Sequence, residues 1–146
     1  MALTFVKFNC FTTDLGLKKH AFGTDTYKLA LSNTLPVSSQ AVFDAVTNHP
    51  PPANVNGYTT GGETVTNLQI TNSTGSTAKV DQSSAAPVVF TATSGGIGPF
   101  RYLILYNTAG TKPLVAYYDY GSSITLNDTE TFTATFDAVN GALKLD

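Results

Sequence analysis

The sequence has few of the residues on which many protein functions depend. Its 146 residues include one cysteine, two histidines, no tryptophan and only 12% charged residues, whereas a typical globular domain has about 25%. The single cysteine, Cys10, excludes a scaffold built on internal disulfides. Ten acidic residues against eight basic ones offer no basic surface for nucleic acid or for an anionic membrane. We therefore expect neither of these as a partner.

Long apolar runs are lacking as well. The longest, such as residues 103–106 and 114–118, are much shorter than the roughly 20 residues of a membrane-spanning helix. The first residues, Met-Ala-Leu-Thr-Phe-Val-Lys-Phe, lack the basic start, apolar run and small-residue cleavage site of a signal peptide. We expect a protein that is made in the cytoplasm and stays there or is assembled there into something larger.

Patterns for catalysis or metal binding are also missing. His20 and His49 stand apart and fit no metal-ligand spacing, and Cys10 lies among apolar residues, where a lone cysteine is typically a small buried hydrophobe. The glycine-rich stretch 94–100 lacks the spacing of a phosphate-binding loop. We predict no enzyme, no catalytic residues, no metal and no cofactor. A pair of carboxylates brought together by strands stays an open alternative, although turn and cap roles account better for the ten acids.

Most of the chain has the pattern of short β-strands. From Gly57 onward, β-rich segments alternate with Gly, Asn, Ser and Pro clusters at the spacing typical of a sandwich or barrel. Within residues 129–137, Phe and Ala alternate with Thr, which predicts a solvent-facing threonine face. Residues 100–106 are apolar on both faces apart from Arg101 and predict a central strand. The predicted strands cover residues 27–32, 64–71, 77–81, 87–93, 100–107, 114–120, 124–127, 130–137 and 142–145.

Helical and turn signals complete the pattern. Apolar residues at helical spacing predict a short helix within residues 8–17. Two serines suit an N-cap before residues 40–47, which predict a second short helix with Val42, Phe43 and Val46 facing inward. Asn140-Gly141 predicts a type I′ hairpin turn between the last two strands.

The predicted fold class is therefore mainly β: a single antiparallel β-sandwich with one or two short helices in the N-terminal third. Residues 1–146 are predicted to form one β-sandwich domain. Within it, residues 1–22 are expected to form an arm or helix that packs on this domain or on a neighbouring subunit.

Several motifs resemble those of small virion structural proteins, of the capsid decoration or cement kind, found in tailed bacteriophages. The motifs that carry the resemblance are Phe5-Val6-Lys7-Phe8, Lys18-Lys19-His20, residues 25–31, Gly57-Tyr58-Thr59-Thr60-Gly61-Gly62, Gly98-Pro99-Phe100-Arg101-Tyr102, residues 118–123, Glu130-Thr131-Phe132 with Phe136-Asp137, and Asn140-Gly141. Together they extend over nearly the whole chain. The run Pro50-Pro51-Pro52 departs from the family pattern, which puts the shape of that loop in doubt.

The resemblance implies a non-enzymatic protein of the virion, assembled in the host cytoplasm. The implied function is that of a capsid decoration protein, which binds the major capsid protein and stabilises the shell. The implied partners are the major capsid protein and further copies of this chain, for instance in a trimer. Two alternatives stay open: a component of the tail or of the head–tail connector, and a module that binds carbohydrate or a host surface.

We predict a partner-binding surface from aromatic and proline residues, because such side chains suit interfaces with little charge. The predicted partner-binding residues are Phe5, Phe8, Phe11, Pro50, Pro51, Pro52, Tyr58, Tyr117 and Tyr118. The three phenylalanines are expected to anchor an arm on a neighbour or to pack on this chain's own sheet. Neighbouring residues of a strand point to opposite faces, so Tyr117 and Tyr118 cannot both belong to one core. The exposed tyrosine face is expected to bind protein or carbohydrate, or else to form the rim of the core.

Overall fold

The computed structural model describes residues 2–3, 5–72, 75, 77–82 and 86–145. Over these residues the chain forms β-strands joined by loops and one short α-helix, α1, at Phe11–Gly16, which confirms the predicted mainly β class. The strands are β1 Ala2–Leu3, β2 Phe5–Lys7, β3 Tyr27–Ser32, β4 Asn54–Val55, β5 Glu63–Val65, β6 Leu68–Asn72, β7 Ala78–Gln82, β8 Val88–Thr91, β9 Ile97–Asn107, β10 Leu114–Leu126, β11 Thr131–Phe136 and β12 Leu143–Leu145.

The strands are arranged in one large sheet and two small ones. The large sheet has the order β2-β10-β9-β3-β5, and β4 pairs with β9 beside this path. The small sheets have the orders β1-β11-β8 and β12-β7-β6. Among the described pairs, only β1 with β11 is parallel. The sheets are therefore almost wholly antiparallel, as predicted.

The central strand of the large sheet is β9, as its sequence predicts. It pairs with β10 on one side and with β3 on the other. Because side chains alternate along a strand, Leu103 and Leu105 point to one face, whereas Tyr102 and Ile104 point to the other. All four are buried, so both faces of the large sheet are covered.

The first face of the large sheet packs against the two small sheets. Leu29 of β3 and Leu105 of β9 lie on this face. They form one buried cluster with Phe90 of β8 and Phe132 of β11. On β11, Phe132 and Ala134 are buried while Thr131 and Thr133 are exposed, which confirms the predicted threonine face. This strand-on-strand packing is the arrangement of a β-sandwich.

The second face of the large sheet is covered by irregular chain. We call residues 33–53, between β3 and β4, the covering segment. Its Phe43 joins Tyr102, Ile104 and Tyr106 of β9 in a separate buried cluster, together with Phe8 from the stretch between β2 and α1.

The predicted helix at residues 40–47 is wrong. Val42 instead forms an isolated antiparallel bridge with Pro113, and the chain turns at Asp44, whose carboxylate accepts hydrogen bonds from the backbone N–H groups of Val46 and Thr47. An aspartate whose carboxylate accepts hydrogen bonds from the N–H groups of the residues that follow it stabilises a turn, and this turn competes with a helix. Phe43 is buried as expected, whereas Val42 and Val46 are exposed.

The predicted hairpin at Asn140-Gly141 is also wrong. The strand that follows it, β12, pairs with β7 and not with β11. The chain leaves β11 through a turn in which the Asp137 carboxylate accepts from the N–H groups of Val139 and Asn140. Only Gly141 of this turn has a positive φ, +66°, whereas a type I′ turn needs two such residues. The turn therefore passes the chain from one small sheet to the other.

Candidate functional site

Most of the predicted partner-binding rings lie inside this chain. Phe8 and Phe11 are buried, Phe11 in the cluster of the first face and Phe8 in that of the second. Phe5 is half-buried and packs against the first cluster. Of the two outcomes expected for these phenylalanines, packing on the chain's own sheet is therefore the one observed.

Tyr58 is a structural residue and not an exposed one. Strand β5 pairs with β3 only as far as Leu29, and beyond that point the Tyr58 hydroxyl accepts a hydrogen bond of 2.9 Å from the Leu31 backbone N–H. The ring is buried and lies 6.1 Å from that of Phe90 between centroids. Tyr58 therefore supplies the hydrogen bond that an adjacent strand would otherwise give to β3.

The two neighbouring tyrosines of β10 point to opposite faces, as their spacing predicts. Tyr118 is fully buried in the first face, and its hydroxyl donates to the Ala142 carbonyl at 3.0 Å. Burial raises the pKa of this hydroxyl above its ordinary value. Tyr117 packs beside Phe8 at 5.3 Å between ring centroids and remains half-buried. Of this pair, Tyr117 alone keeps part of its ring at the surface.

The three prolines lie at the end of the covering segment. Pro52 is buried, whereas Pro50 and Pro51 are half-buried. They follow directly on His49, which is itself buried. The proline run is therefore packed against the molecule and does not project from it as an extended arm.

An aromatic stack fixes the covering segment on the second face. The ring of Phe43 stacks on Tyr106 with a centroid distance of 3.9 Å and on His49 with one of 5.4 Å. Phe8 meets the His49 ring edge-on at 6.3 Å. The Tyr106 hydroxyl donates to the Gly61 carbonyl at 2.8 Å. These rings tie the covering segment to β9 through apolar contact.

Backbone hydrogen bonds anchor the same segment at both sides. Asn9 N–H donates to the Ser38 carbonyl at 2.9 Å, and Phe43 N–H donates to the Lys112 carbonyl at 2.9 Å. Leu114 N–H, at the start of β10, donates to the Ala41 carbonyl at 3.1 Å. The covering segment thus has a defined backbone path although it contains neither helix nor strand.

The outer side of the covering segment presents aliphatic side chains to solvent. Leu35, Val37, Val42 and Val46 are all exposed, Val46 to 85%. They are four of the ten large hydrophobic residues exposed in the described chain. Single exposed apolar side chains are common on protein surfaces, and these four are candidates for a partner contact because the backbone that carries them is anchored. Sequence reasoning missed this surface because it placed Val42 and Val46 on the inner side of a helix.

Several titratable residues lie in or just after α1. His20 is buried between the rings of Phe11, at 5.3 Å, and Tyr27, at 6.2 Å. The Asp14 carboxylate pairs with Lys19 Nζ at 2.7 Å. Burial lowers the pKa of His20 below its ordinary value, against the opposing effect of nearby carboxylates.

Cys10, at the start of α1, has the surroundings of an inert thiol. Its Sγ lies 3.7 and 3.8 Å from the carbonyl oxygens of Gln40 and Ala41, toward which it can donate. Partial burial and the nearby Asp14 carboxylate raise the pKa of the thiol. A reactive cysteine needs the opposite, a pKa lowered by positive neighbours. The arrangement therefore does not activate Cys10 as a nucleophile.

Within the described residues, no three His, Cys, Asp or Glu side chains converge in a way that would hold a metal ion.

None of the α-helical structure in the described part of the chain is both long enough and apolar enough to span a membrane.

The fold defines the class: a mainly β protein with antiparallel sheets and one short helix near the N-terminus. No protein-family model, curated sequence or solved structure matches the chain.

Proposed function

We propose that the protein is a non-enzymatic structural component of a tailed-phage virion, a capsid decoration protein that binds the major capsid protein and stabilises the shell. The resemblance of its sequence motifs supports the family. The covering segment supports the mode of action, because Leu35, Val37, Val42 and Val46 offer an apolar surface on a fixed backbone.

A decoration protein needs a surface of this kind more than it needs a pocket. Its binding site recurs many times on the capsid lattice, so that modest contacts at each copy are sufficient when copies also contact one another. The core of a protein interface is typically depleted in charge, and only 12% of this chain is charged. Removing an uncharged aliphatic surface from water is favourable, because no charged group has to be desolvated.

The number of copies per particle tests the proposal and separates it from its closest alternative. We expect quantitative mass spectrometry of purified virions to find hundreds of copies. Six or twelve copies would instead indicate a ring in the tail or head–tail connector. Absence from the particles would overturn a virion function altogether.

A thermal test addresses the stabilising role. Capsids that carry the protein are expected to melt at a higher temperature than capsids without it, because a ligand that binds only the assembled shell stabilises that state. Identical melting temperatures would contradict stabilisation.

A carbohydrate-binding function depends on the tyrosine rings that remain accessible. Tyr118 is fully buried, and the half-buried Tyr117 is the ring of this pair that a sugar could reach. Binding on a glycan array that is lost in Tyr117→Ala would favour this alternative over decoration.

A further inference from the structure

His49 is enclosed by aromatic rings on the second face of the large sheet. Its side chain is 1% exposed. The imidazole is nearly parallel to the Phe43 ring, with 11° between the planes, and perpendicular to the Phe8 ring, with 89°. Apolar surroundings of this kind disfavour the charged form of a titratable group.

The hydrogen bonds of His49 fix which nitrogen carries the proton. Its Nδ1 accepts a hydrogen bond of 3.3 Å from the Asp44 backbone N–H, so Nδ1 is unprotonated and Nε2 carries the hydrogen of the neutral ring. In return, the His49 backbone N–H donates to the Asp44 carbonyl at 2.7 Å. The two residues therefore close the turn between them by two reciprocal bonds.

Protonation is incompatible with this closed turn. A proton on Nδ1 would place an N–H group against the Asp44 N–H that now donates to it. The new charge would also have little compensation, because the buried Nε2 has no hydrogen-bond partner among the described residues. An unpaired buried charge is strongly unfavourable.

The groups around His49 oppose its protonation on balance. The Asp44 carboxylate favours the charged ring, but it already accepts from the backbone N–H groups of Val46 and Thr47 and from the Thr47 hydroxyl. On the sheet side, the titratable groups are the hydroxyls of Tyr106, stacked on Phe43, and Tyr117, packed on Phe8. Burial raises the pKa of the Tyr106 hydroxyl. Burial outweighs the carboxylate and lowers the pKa of His49 below its ordinary value.

We propose that His49 is an acid-sensitive latch for the covering segment: the neutral ring holds the 44–49 turn closed on the second face, and acidification opens it. Val46, the most exposed valine of that segment, lies inside the turn. Opening therefore changes the shape of the outer apolar surface. The latch depends on the local geometry alone and applies whether or not the protein decorates a capsid.

The direction of the pH effect follows from proton linkage. Above about pH 6.5, the ring is neutral in both the closed and the open turn. Below it, the open turn takes up a proton that the closed turn excludes, because the pKa of His49 is lowered in the closed state. The ratio of closed to open molecules then falls by up to about tenfold for each pH unit.

His20 is a second buried histidine, and the test must separate the two. Both of its ring nitrogens lack a hydrogen-bond partner among the described residues. It faces the carboxylates of Asp14 and Asp25, the ammonium group of Lys19 and the hydroxyl of Tyr27. Global unfolding is therefore expected to take up as many as two protons near pH 6, one for each histidine.

Amide hydrogen exchange measured by NMR between pH 7 and 5 tests the latch at the turn itself. We expect the protection factors of the Asp44 and His49 amides to fall by up to about tenfold per pH unit below pH 6.5, as for one proton. That of Leu105 in β9, which is fully buried and exchanges through global unfolding, should fall more steeply, by up to about a hundredfold per pH unit, as for two protons. His49→Asn keeps a side-chain acceptor but does not titrate, so its protection should not vary with pH. His20→Asn should leave the pH dependence at the turn unchanged.

The imidazole ¹⁵N chemical shifts of the wild-type protein give an independent measurement that needs no variant. A His49 ring that stays neutral well below pH 6.5 while the turn is closed supports the latch. Titration of His49 in the closed turn at or above pH 6.5, or pH-independent protection of the Asp44 amide, would overturn it.

Discussion

The two faces of the large sheet are buried in different ways. The first face meets other strands, and its cluster joins residues of β3, β8, β9 and β11. The second face meets irregular chain, and its cluster depends on Phe8 and Phe43 from outside the sheets. The cover of the first face consists of strands that are paired within the two small sheets, whereas the cover of the second face is held by a few rings and backbone hydrogen bonds.

Because of this difference, we expect global stability and partner binding to depend on different faces of the large sheet. A layer of paired strands opens only with the whole sheet, but a loop held by a few contacts can open by itself. The covering segment carries four exposed aliphatic side chains and the His49 turn. We therefore expect the first face to set the global stability and the second face to carry binding and its response to pH.

The largest expected effect is that of truncating a ring in the first face. Phe100 is fully buried and meets Phe132 edge-on at 5.3 Å between ring centroids. Phe100→Ala should lower the free energy of unfolding by about 3–5 kcal/mol, through lost burial and the cavity left behind. Denaturant unfolding measures this loss, and Phe100→Leu serves as the milder control. A loss below about 1 kcal/mol would mean that the first face does not set the stability.

A smaller and more local effect is expected on the second face. Phe43→Ala removes the ring that stacks on both Tyr106 and His49 and should cost about 2–3 kcal/mol, because the segment can open without the sheet. Hydrogen exchange should increase in the covering segment while β9 and β10 stay protected. If those strands lose protection as they do in Phe100→Ala, the two faces form one cooperative unit and the comparison fails.

A still smaller effect is expected at the edge of β3. Tyr58→Phe leaves the ring in place but removes the oxygen that accepts from Leu31 N–H. An unpaired buried donor costs about 1–2 kcal/mol. Exchange of the Leu31 amide should increase more than that of its neighbours. An unchanged Leu31 exchange rate would show that the hydroxyl does not stabilise the strand edge.

The smallest effect on stability is expected on the outer side of the covering segment. Val46 is 85% exposed, and a substitution at such a position usually changes stability by no more than about 0.5 kcal/mol. Val46→Ser should therefore melt like the wild-type protein, as should Val139→Ser at an exposed valine outside the segment. A marked destabilisation by Val46→Ser alone would indicate that Val46 packs on the molecule.

The parts of the fold that could be predicted are those in which side chains alternate. Residues 100–107 and 130–137 have apolar residues at strand spacing, and both form strands, β9 and β11. The predicted strand at residues 64–71 is divided in two at Asn67, where φ is +54°. Residues 114–120 and 124–127 were predicted as two strands and form one, β10, with irregular register after Asp119.

The errors arise where a local turn competes with a helix or where distant residues decide the local structure. Residues 40–47 have apolar side chains that suit a helix, but Asp44 and His49 close a turn there. The Asn140-Gly141 pair suits a hairpin, but the partner of β12 is β7. Tyr58 lies in a loop-like motif. It is buried beside β3, where its hydroxyl bonds Leu31 beyond the point at which β5 stops pairing with that strand. Periodicity and turn chemistry do not contain the last two of these contacts, which join residues far apart in the sequence.

The candidate surface illustrates the same limit. Aromatic residues were predicted to bind a partner, yet Phe8, Phe11, Tyr58 and Tyr118 are buried. Four of the ten exposed large apolar residues of the described chain are instead aliphatic ones of the covering segment. Their exposure depends on the path of that segment over the second face, which the sequence alone does not define.

Binding of the purified protein to capsids that lack it is the most direct test of the central claim, that the covering segment contacts the capsid. Co-sedimentation should show that Val46→Asp weakens binding by about tenfold or more, since a charge in an apolar interface core is costly to desolvate. Val139→Asp, at a valine 72% exposed outside the segment, should bind like the wild-type protein. Wild-type affinity in Val46→Asp, or an equal loss in Val139→Asp, would contradict the claim.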